Sequence, residues 1–235
     1  MTGLSATGDQ AGQPANRHLR RWLILATVIV LALAAGWLVE FSSVLGVRSV
    51  TVSGAKLISA AQVEAAAAIK PGTPLARLDT TAVLARVAAI PEVRTVTVQT
   101  SYPSSVRIEV TERVAVGYRS GPGVAELVDT DNVQFRTTAT PPAGLPRLEL
   151  SGDGAASAAT ATVAGSLPPA LARRVALITA PSTESITLTL TDGRTVLWGG
   201  TDRSLDKARL LSALIGGPGS YYDVSDPSSV ISRGK

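Results

Sequence analysis

Residues 102–113 read YPSSVRIEVTER and predict a tight turn followed by a strand with one buried face. Pro103 and the serines after it are residues that favour turns. Beyond them Val106, Ile108 and Val110 alternate with polar residues, which is the two-residue period of a half-buried strand. Because such a strand must lay its apolar side against other elements, the neighbouring sequence should supply the layer that covers it.

The sequence before this strand predicts two helices and two more strands. Residues 49–52 alternate between polar and apolar and predict a strand. Ser59 and Gln62 have the spacing of a capping box, which opens a helix. A second helix is expected over residues 80–90, followed by a strand around residues 95–98. The order β-α-α-β-β indicates a small α+β unit in which two helices cover one face of a three-stranded sheet.

The second half of the chain predicts a mainly β domain with flanking helices. Hairpins are expected over residues 125–136 and 186–198, where turn residues separate apolar runs. Proline placement and helical spacing predict helices over residues 168–181 and 204–215. Residues 151–165 contain almost no bulky apolar side chain, so we expect a flexible insertion that is partly helical at its alanine-rich end.

An uncharged apolar run over residues 22–39 follows a basic cluster at residues 17–21. A bilayer core needs roughly 20 mostly apolar helical residues, so we expect one transmembrane helix with a cytoplasmic N-terminus. A cleaved signal peptide is the alternative, because residues 32–34 read ALA, but the apolar run continues past that site. The expected span includes Trp22, Leu23, Ile24, Leu25, Val28, Ile29, Val30, Leu31, Leu33, Trp37, Leu38 and Val39.

Composition argues against several kinds of chemistry. The 235 residues include no cysteine and one histidine, His18, which precedes the apolar run. A Ser-His-Asp triad, a Cys-His pair or a zinc site therefore lacks its residues in the predicted extracytoplasmic part. We expect no catalytic residue, cofactor or metal, and we interpret Asp129 and Asp131 as solvated turn residues rather than an acid-base pair. The net charge of +4 is too small to indicate a nucleic-acid surface.

Several segments, taken in order, resemble the FtsQ/DivIB family of bacterial cell-division proteins. In that family a short cytoplasmic tail and one membrane span lead to a POTRA domain and then a β-rich domain, so the β-α-α-β-β unit is the expected POTRA domain. The matching segments are residues 47–54 (VRSVTVSG), 102–113, 127–135 (LVDTDNVQF) and 188–199 (LTLTDGRTVLWG), followed by Lys207 and by Asp223, Val224 and Ser225.

The resemblance implies a non-enzymatic scaffold that assembles septal cell-division proteins at the plasma membrane, with FtsB and FtsL as usual partners. It also implies that a C-terminal edge strand pairs with a partner's strand, by addition to a sheet edge. The expected edge is residues 221–231, an extended segment broken by Pro227. The partner contacts expected there are Tyr221, Tyr222, Asp223, Val224, Ser225 and Val230.

A POTRA-containing component of protein export or outer-membrane assembly is the alternative, although such proteins usually repeat the POTRA unit and the pattern occurs once here. Trp198 is expected in the core, and Lys207 is expected to be solvated or snorkelling. Glu112 and Arg113 are interpreted either as a hinge pair between domains or as a surface pair. The expected parts are a cytoplasmic tail (1–21), a transmembrane helix and its exit (22–44), a POTRA domain (45–114) and a β-rich domain (115–235).

Overall fold

The computed structural model describes residues 15–41, 46–149 and 154–234. Most of the predicted cytoplasmic tail and the predicted exit at residues 42–44 therefore lie outside the described residues. The first element is helix α1, Ala15–Phe41, of 27 residues.

Helix α1 carries the apolar run as a row of exposed side chains. Leu23 is 62% exposed and Leu33 is 68% exposed. The side chains of Leu38 and Val39, which belong to the predicted span, lie outside the description. Across the residues that the structure describes, no helix is both long and apolar enough to cross a membrane.

The β-α-α-β-β order predicted for the first domain is confirmed. Strand β3 lies at the centre of a three-stranded sheet, parallel to β1 and antiparallel to β2. A 3₁₀ turn, Leu75–Arg77, separates the two helices. The elements are β1 (Ser49–Ser53), α2 (Ala60–Ala67), α3 (Thr80–Ala88), β2 (Val93–Ser101) and β3 (Ser105–Glu112).

Local sequence signals explain where these elements begin and what they bury. Ser59 and Gln62 form both hydrogen bonds of the capping box at the start of α2. Asp79 caps α3 by accepting a hydrogen bond from the Ala82 N–H at 2.9 Å. The two helices then bury valines against the apolar face of β3, and the core residues include Val63, Val83, Val87, Val106, Ile108 and Val110.

The rest of the chain forms one nine-stranded sheet in the order β12-β11-β10-β9-β8-β7-β4-β5-β6. Helices α4 and α6 belong to its core cluster. The strands are β4 (Gly117–Gly121), β5 (Val124–Val128), β6 (Gln134–Thr138), β7 (Arg147–Glu149), β8 (Val175–Thr179), β9 (Ile186–Leu190), β10 (Thr195–Gly199), β11 (Tyr221–Asp223) and β12 (Ile231–Arg233). The helices are α4 (Gly154–Ser166), α5 (Pro169–Ala172) and α6 (Ser204–Leu214).

The flexibility predicted for residues 151–165 is wrong for the described part, whereas the helix expected at its alanine-rich end is confirmed. Helix α4 covers 13 residues, and its Ala156, Ala161 and Val163 are fully buried. Small side chains here allow a helix to pack closely, because an added Cβ at Gly165 would lie 2.4 Å from Cγ2 of Thr130. The lack of bulky residues therefore marks close packing rather than the absence of a core.

The helix predicted over residues 168–181 is wrong for most of its length. Helix α5 is a single turn, and β8 follows it inside the sheet between β7 and β9. Val175 and Ile178 have helical spacing, but β-branched side chains also suit a strand. Pairing on both sides of β8 decides in favour of the strand.

Candidate functional site: the C-terminal sheet edge

The last strand of the chain forms one end of the nine-stranded sheet. Strand β11 pairs in parallel with β10 and in antiparallel with β12, and β12 has no further strand on its outer side in the described part of the chain. The prediction that residues 221–231 form a single edge is therefore wrong. Residues 221–223 lie inside the sheet, and the edge is the returning strand.

Two turns, each stabilised by an aspartate carboxylate, reverse the chain between β11 and β12. Asp223 Oδ1 accepts hydrogen bonds from the Ser225 N–H at 3.0 Å and hydroxyl at 2.6 Å. Asp226 Oδ1 accepts from the Ser228 N–H at 2.9 Å and hydroxyl at 2.7 Å. The hydroxyl bond from Ser228 is the main cause that lowers the pKa of Asp226. Such turns, together with Pro227, reverse the chain.

The backbone bonds between β10 and β11 show which residues face which neighbour. The Thr195 N–H donates to the Ser220 carbonyl at 3.2 Å, and the Val224 N–H donates to the Leu197 carbonyl at 2.9 Å. Within β11, the even-numbered Tyr222 therefore turns its backbone groups towards β10. Odd-numbered residues turn theirs towards β12, because the direction alternates along a strand.

This alternation determines which backbone N–H and carbonyl groups of β12 face away from β11. Tyr221 is in register with Arg233, and Asp223 with Ile231. The Arg233 carbonyl also accepts from the Ser220 N–H at 3.0 Å, so it faces inwards. The N–H and carbonyl of Ser232 consequently point away from the sheet, where an added strand would meet them.

Two of the predicted contact residues are buried instead. Tyr222 is 1% exposed and Val224 is 0% exposed, so neither side chain is accessible at the surface of the folded chain. The Tyr222 hydroxyl donates to the Gly217 carbonyl at 3.1 Å and accepts from Arg194 Nη1 at 2.8 Å. The buried side chains of Tyr222 and Val224 therefore anchor β11 to the core.

Arg194, which the sequence patterns did not single out, joins the hairpin turn to this buried layer. Besides Tyr222, it bonds Asp192 Oδ2 at 2.9 Å and the Ile215 carbonyl at 2.9 Å. The hydrogen bond between the two charged groups raises the pKa of Arg194 and lowers that of Asp192. Its only sequence signal is its place directly after the Asp-Gly turn.

The remaining predicted residues are accessible to different degrees. Tyr221, Asp223, Ser225 and Val230 are half-buried, and Val230 packs against the core. The guanidinium of Arg233 lies 6.0 Å from the ring centre of Tyr221, so the two share one face of the edge. That face also includes exposed Ile231, because alternate residues share a face.

Lys207 is fully buried, so the prediction that it is solvated or snorkelling is wrong. Its ammonium donates to the Gly200 carbonyl at 3.0 Å and to Asp202 Oδ1 at 3.1 Å. It therefore fixes the loop between β10 and α6. The end of β10, where this loop begins, lies against the connection to β12, since a Cβ at Gly199 would lie 2.8 Å from the Ser225 Cβ.

Trp198 lies in the core as predicted, with no exposed surface. Its indole N–H donates to the Ser204 hydroxyl at 3.2 Å. The bond joins β10 to the first residue of α6 and satisfies the polar edge of a buried ring.

Glu112 and Arg113 do not pair with each other but act on different parts of the junction between the sheets. Glu112 accepts hydrogen bonds from three successive backbone amides, those of Lys56, Leu57 and Ile58, at 2.8, 2.8 and 3.0 Å. Partial burial raises the pKa of Glu112, but these amide bonds outweigh it and bring the pKa below its usual value.

Arg113 connects the two sheets. It donates to the carboxylate of Asp129 and to the Pro91 carbonyl, the latter at 3.2 Å. Asp129 is 1% exposed and also accepts from the Asp131 and Val133 N–H groups, so the prediction that it is solvated is wrong. Asp131 is exposed as expected. The two carboxylates therefore share Arg113, which lies 3.6 Å from Asp131 Oδ2, and the buried Asp129 has a structural role.

Comparisons with known proteins match both domains. The family model described as POTRA domain, FtsQ-type, matches residues 45–113, and that described as Cell division protein FtsQ/DivIB, C-terminal, matches residues 118–224. The second match ends before β12.

Proteins named Cell division protein FtsQ align with nearly all of the chain. The protein from Mycolicibacterium smegmatis is 45% identical over 214 residues, which are 90% of this chain and 64% of that protein. The protein from Mycobacteroides abscessus is 39% identical over 223 residues, 94% of this chain and 72% of that protein. A solved structure of the major extracytoplasmic domain of DivIB from Geobacillus stearothermophilus is 20% identical, with a TM-score of 0.34, and covers 46% of this chain and 98% of that chain.

Proposed function

The chain belongs to the FtsQ/DivIB family of cell-division proteins, and from this we propose that it is a non-enzymatic, membrane-anchored scaffold of the division machinery. Its partners are membrane proteins of the FtsB and FtsL type, gathered at the septum. The names of its relatives favour cell division over the alternative of protein export or outer-membrane assembly.

The observation that carries the proposal is the outer side of β12, along which no other strand of the described residues lies. A partner's strand adds there through the outward N–H and carbonyl of Ser232, continuing the sheet by one strand. Side chains beside this backbone select the partner, and those of Tyr221, Ile231 and Arg233 lie on one face. Backbone pairing supplies affinity and this face supplies specificity.

Membrane anchoring is the second element of the proposal. It rests on the uncharged run at residues 22–39 and on the exposed apolar side chains of α1. The basic cluster at residues 17–21 supports a cytoplasmic N-terminus with both sheets outside, by the positive-inside rule. In this position the edge strand meets other single-span division proteins.

A pull-down from native membranes tests the edge with two matched variants of the full chain. Among the backbone donors of β12, Ser232→Pro removes only the outward N–H, so the hydrogen bonds to β11 are kept while an added strand loses a hydrogen bond and meets the proline ring. We expect FtsB-type recovery to fall by about tenfold or more, since a lost hydrogen bond and a steric block act together. Ser232→Ala keeps the N–H and should bind normally.

A chain truncated after Gly219 removes β11 and β12 together and should recover no FtsB-type partner. Equal recovery by Ser232→Pro, Ser232→Ala and the unchanged chain would refute strand addition at β12. If no division protein is recovered with any of these chains, the scaffold proposal itself fails.

A further inference from the structure

Three segments of the first domain meet at the point where the chain enters it. The Val47 N–H donates to the Thr73 carbonyl at 2.9 Å, and the Gly72 N–H donates to the Val47 carbonyl at 2.8 Å. The Arg48 N–H donates to the Ser104 carbonyl at 2.8 Å. We call the surface that these segments form the entry end. It comprises residues 46–49, 70–77 and 101–105.

The entry end lies close to the end of helix α1. Gly46 follows Phe41, the last residue of α1, by five positions, and a fully extended chain of that length spans at most about 18 Å. Helix α1 also contacts the 3₁₀ turn Leu75–Arg77, which is part of the entry end. A bilayer that held α1 would therefore lie next to this end of the domain.

Every charged residue in the three segments of the entry end is basic. These residues are Arg48, Lys70 and Arg77, and all three are exposed. Among the described residues, the side chains of Arg48 and Lys70 form no ion pair. The next carboxylate along the chain, that of Asp79, caps α3 by accepting from the Ala82 N–H. The positive charge of the entry end favours an anionic surface as its partner.

An exposed aromatic side chain lies at the same end of the domain. Tyr102 is 61% exposed in the turn between β2 and β3. Because a tyrosine ring is apolar and its hydroxyl is polar, this side chain favours the boundary between hydrocarbon and water. Cations and an aromatic ring on one surface suit the headgroup region of a bilayer.

We propose that the entry end docks on the membrane that holds α1, with Arg48 and Lys70 against anionic lipid headgroups and Tyr102 at the interface. The proposal rests on the membrane anchoring proposed above and adds a second contact, which fixes how the first domain stands on the bilayer. Each cation near an anionic surface should raise the ratio of docked to undocked domain by roughly fivefold. A domain held only by its tether would show no such dependence on lipid charge.

Quenching of a fluorophore by lipid with a nitroxide headgroup tests this docking in the full chain. Because the sequence contains no cysteine, Ala76→Cys provides a single labelling site on the entry end. Thr95→Cys is the control, since it is exposed on β2 about 20 Å from Ser101, at roughly 3.3 Å per residue. Each labelled chain is inserted into phosphatidylcholine vesicles with or without phosphatidylglycerol. We expect strong quenching at residue 76 only in the anionic vesicles, and little at residue 95 in either.

Charge variants of the chain labelled at residue 76 test which cations are responsible. Arg48→Gln combined with Lys70→Gln should lower the ratio of docked to undocked domain by about 25-fold, the product of the two single effects. Lys56→Gln combined with Arg173→Gln removes two exposed cations outside the entry end and should leave the quenching unchanged. Equal quenching in the two double variants, or in the two kinds of vesicle, would overturn the inference.

A carbonate wash of the same vesicles separates this inference from the proposed anchoring. A chain that stays with anionic vesicles while residue 76 is not quenched refutes the docking and leaves the anchoring intact. A chain that is washed off refutes the anchoring, and the docking with it.

Discussion

Buried charges act at the residue scale to hold the loops that lead to the sheet edge. Lys207 fixes the loop before α6, and Arg194 joins the β9–β10 turn to Tyr222 beneath β11. We assign these contacts a structural role, because each charged group forms its hydrogen bonds with carbonyls, a hydroxyl or a carboxylate of the fold itself. Their effect is to fix the position of the strand from which β12 returns.

Replacing Lys207 tests this role. Lys207→Met keeps the length of the side chain but leaves the Gly200 carbonyl without its partner. We expect the free energy of unfolding to fall by about 1 to 3 kcal/mol, the range for a buried polar group left unpaired. Urea unfolding of the detergent-solubilised chain measures it. Lys70→Met, at an exposed lysine, is the control, and equal stability of the two variants would contradict the assignment.

Glu112 predicts a dependence of stability on pH. Its pKa in the folded chain is below the usual value of 4.5, so its contribution is present above pH 4.5 and is lost as the pH falls through the lowered pKa. Glu112→Gln should therefore be less stable than the unchanged chain at pH 7, and the difference should shrink below pH 4.5. Urea unfolding at several pH values measures this difference.

The matched control for Glu112 is Glu109→Gln, an exposed carboxylate on the same strand. This variant should show little change at any pH. A loss of stability in Glu112→Gln that is as large at pH 3 as at pH 7 would contradict the role of the three amide bonds.

At the element scale, much of the fold could be predicted from periodicity and capping. The start of α2 follows from Ser59 and Gln62, and β3 follows from alternate valine and isoleucine. The burial of helix α4 could not be predicted in this way, because small residues lie on all its sides and give no apolar stripe. Strand β8 was missed because its identity depends on pairing with β7 and β9, which local spacing does not encode.

The close packing of α4 makes a prediction of its own. Gly165→Val would place a branched side chain against Thr130, where a Cβ alone would approach to 2.4 Å. We expect a loss of about 1 to 3 kcal/mol, the usual cost of overpacking. Gly154→Val is the control, because no atom of the described residues lies within 4 Å of an added Cβ there. If thermal unfolding gives the same midpoint for both variants, the packing argument is wrong.

At the scale of the whole molecule, a largely buried ion pair connects the two sheets. Arg113 and Asp129 lie at the junction, while Arg94 and Asp131 form an exposed pair across the same boundary. The site could be predicted only incompletely, since a C-terminal edge was expected but β11 was taken for it. The return of β12 depends on turns by Asp223 and Asp226, whose effect on sheet order is not a local pattern.

The junction pair supplies the prediction at this scale. Arg113→Met leaves the buried carboxylate of Asp129 without its cation, so we expect a loss of about 3 kcal/mol, in the range for breaking a buried pair. Arg94→Met removes a pair whose side chains are 44% and 48% exposed, and should cost under about 1 kcal/mol. Urea unfolding compares them, and equal losses would contradict the distinction between the two pairs.

Amide hydrogen exchange along β12, in the full chain with and without an FtsB-type partner, tests the central claim most directly. The Ser232 N–H faces outwards, whereas those of Ile231 and Arg233 face β11. Strand addition at β12 predicts that partner binding slows exchange at Ser232 and changes its two neighbours much less. Unchanged exchange at Ser232 while the partner is bound would contradict it.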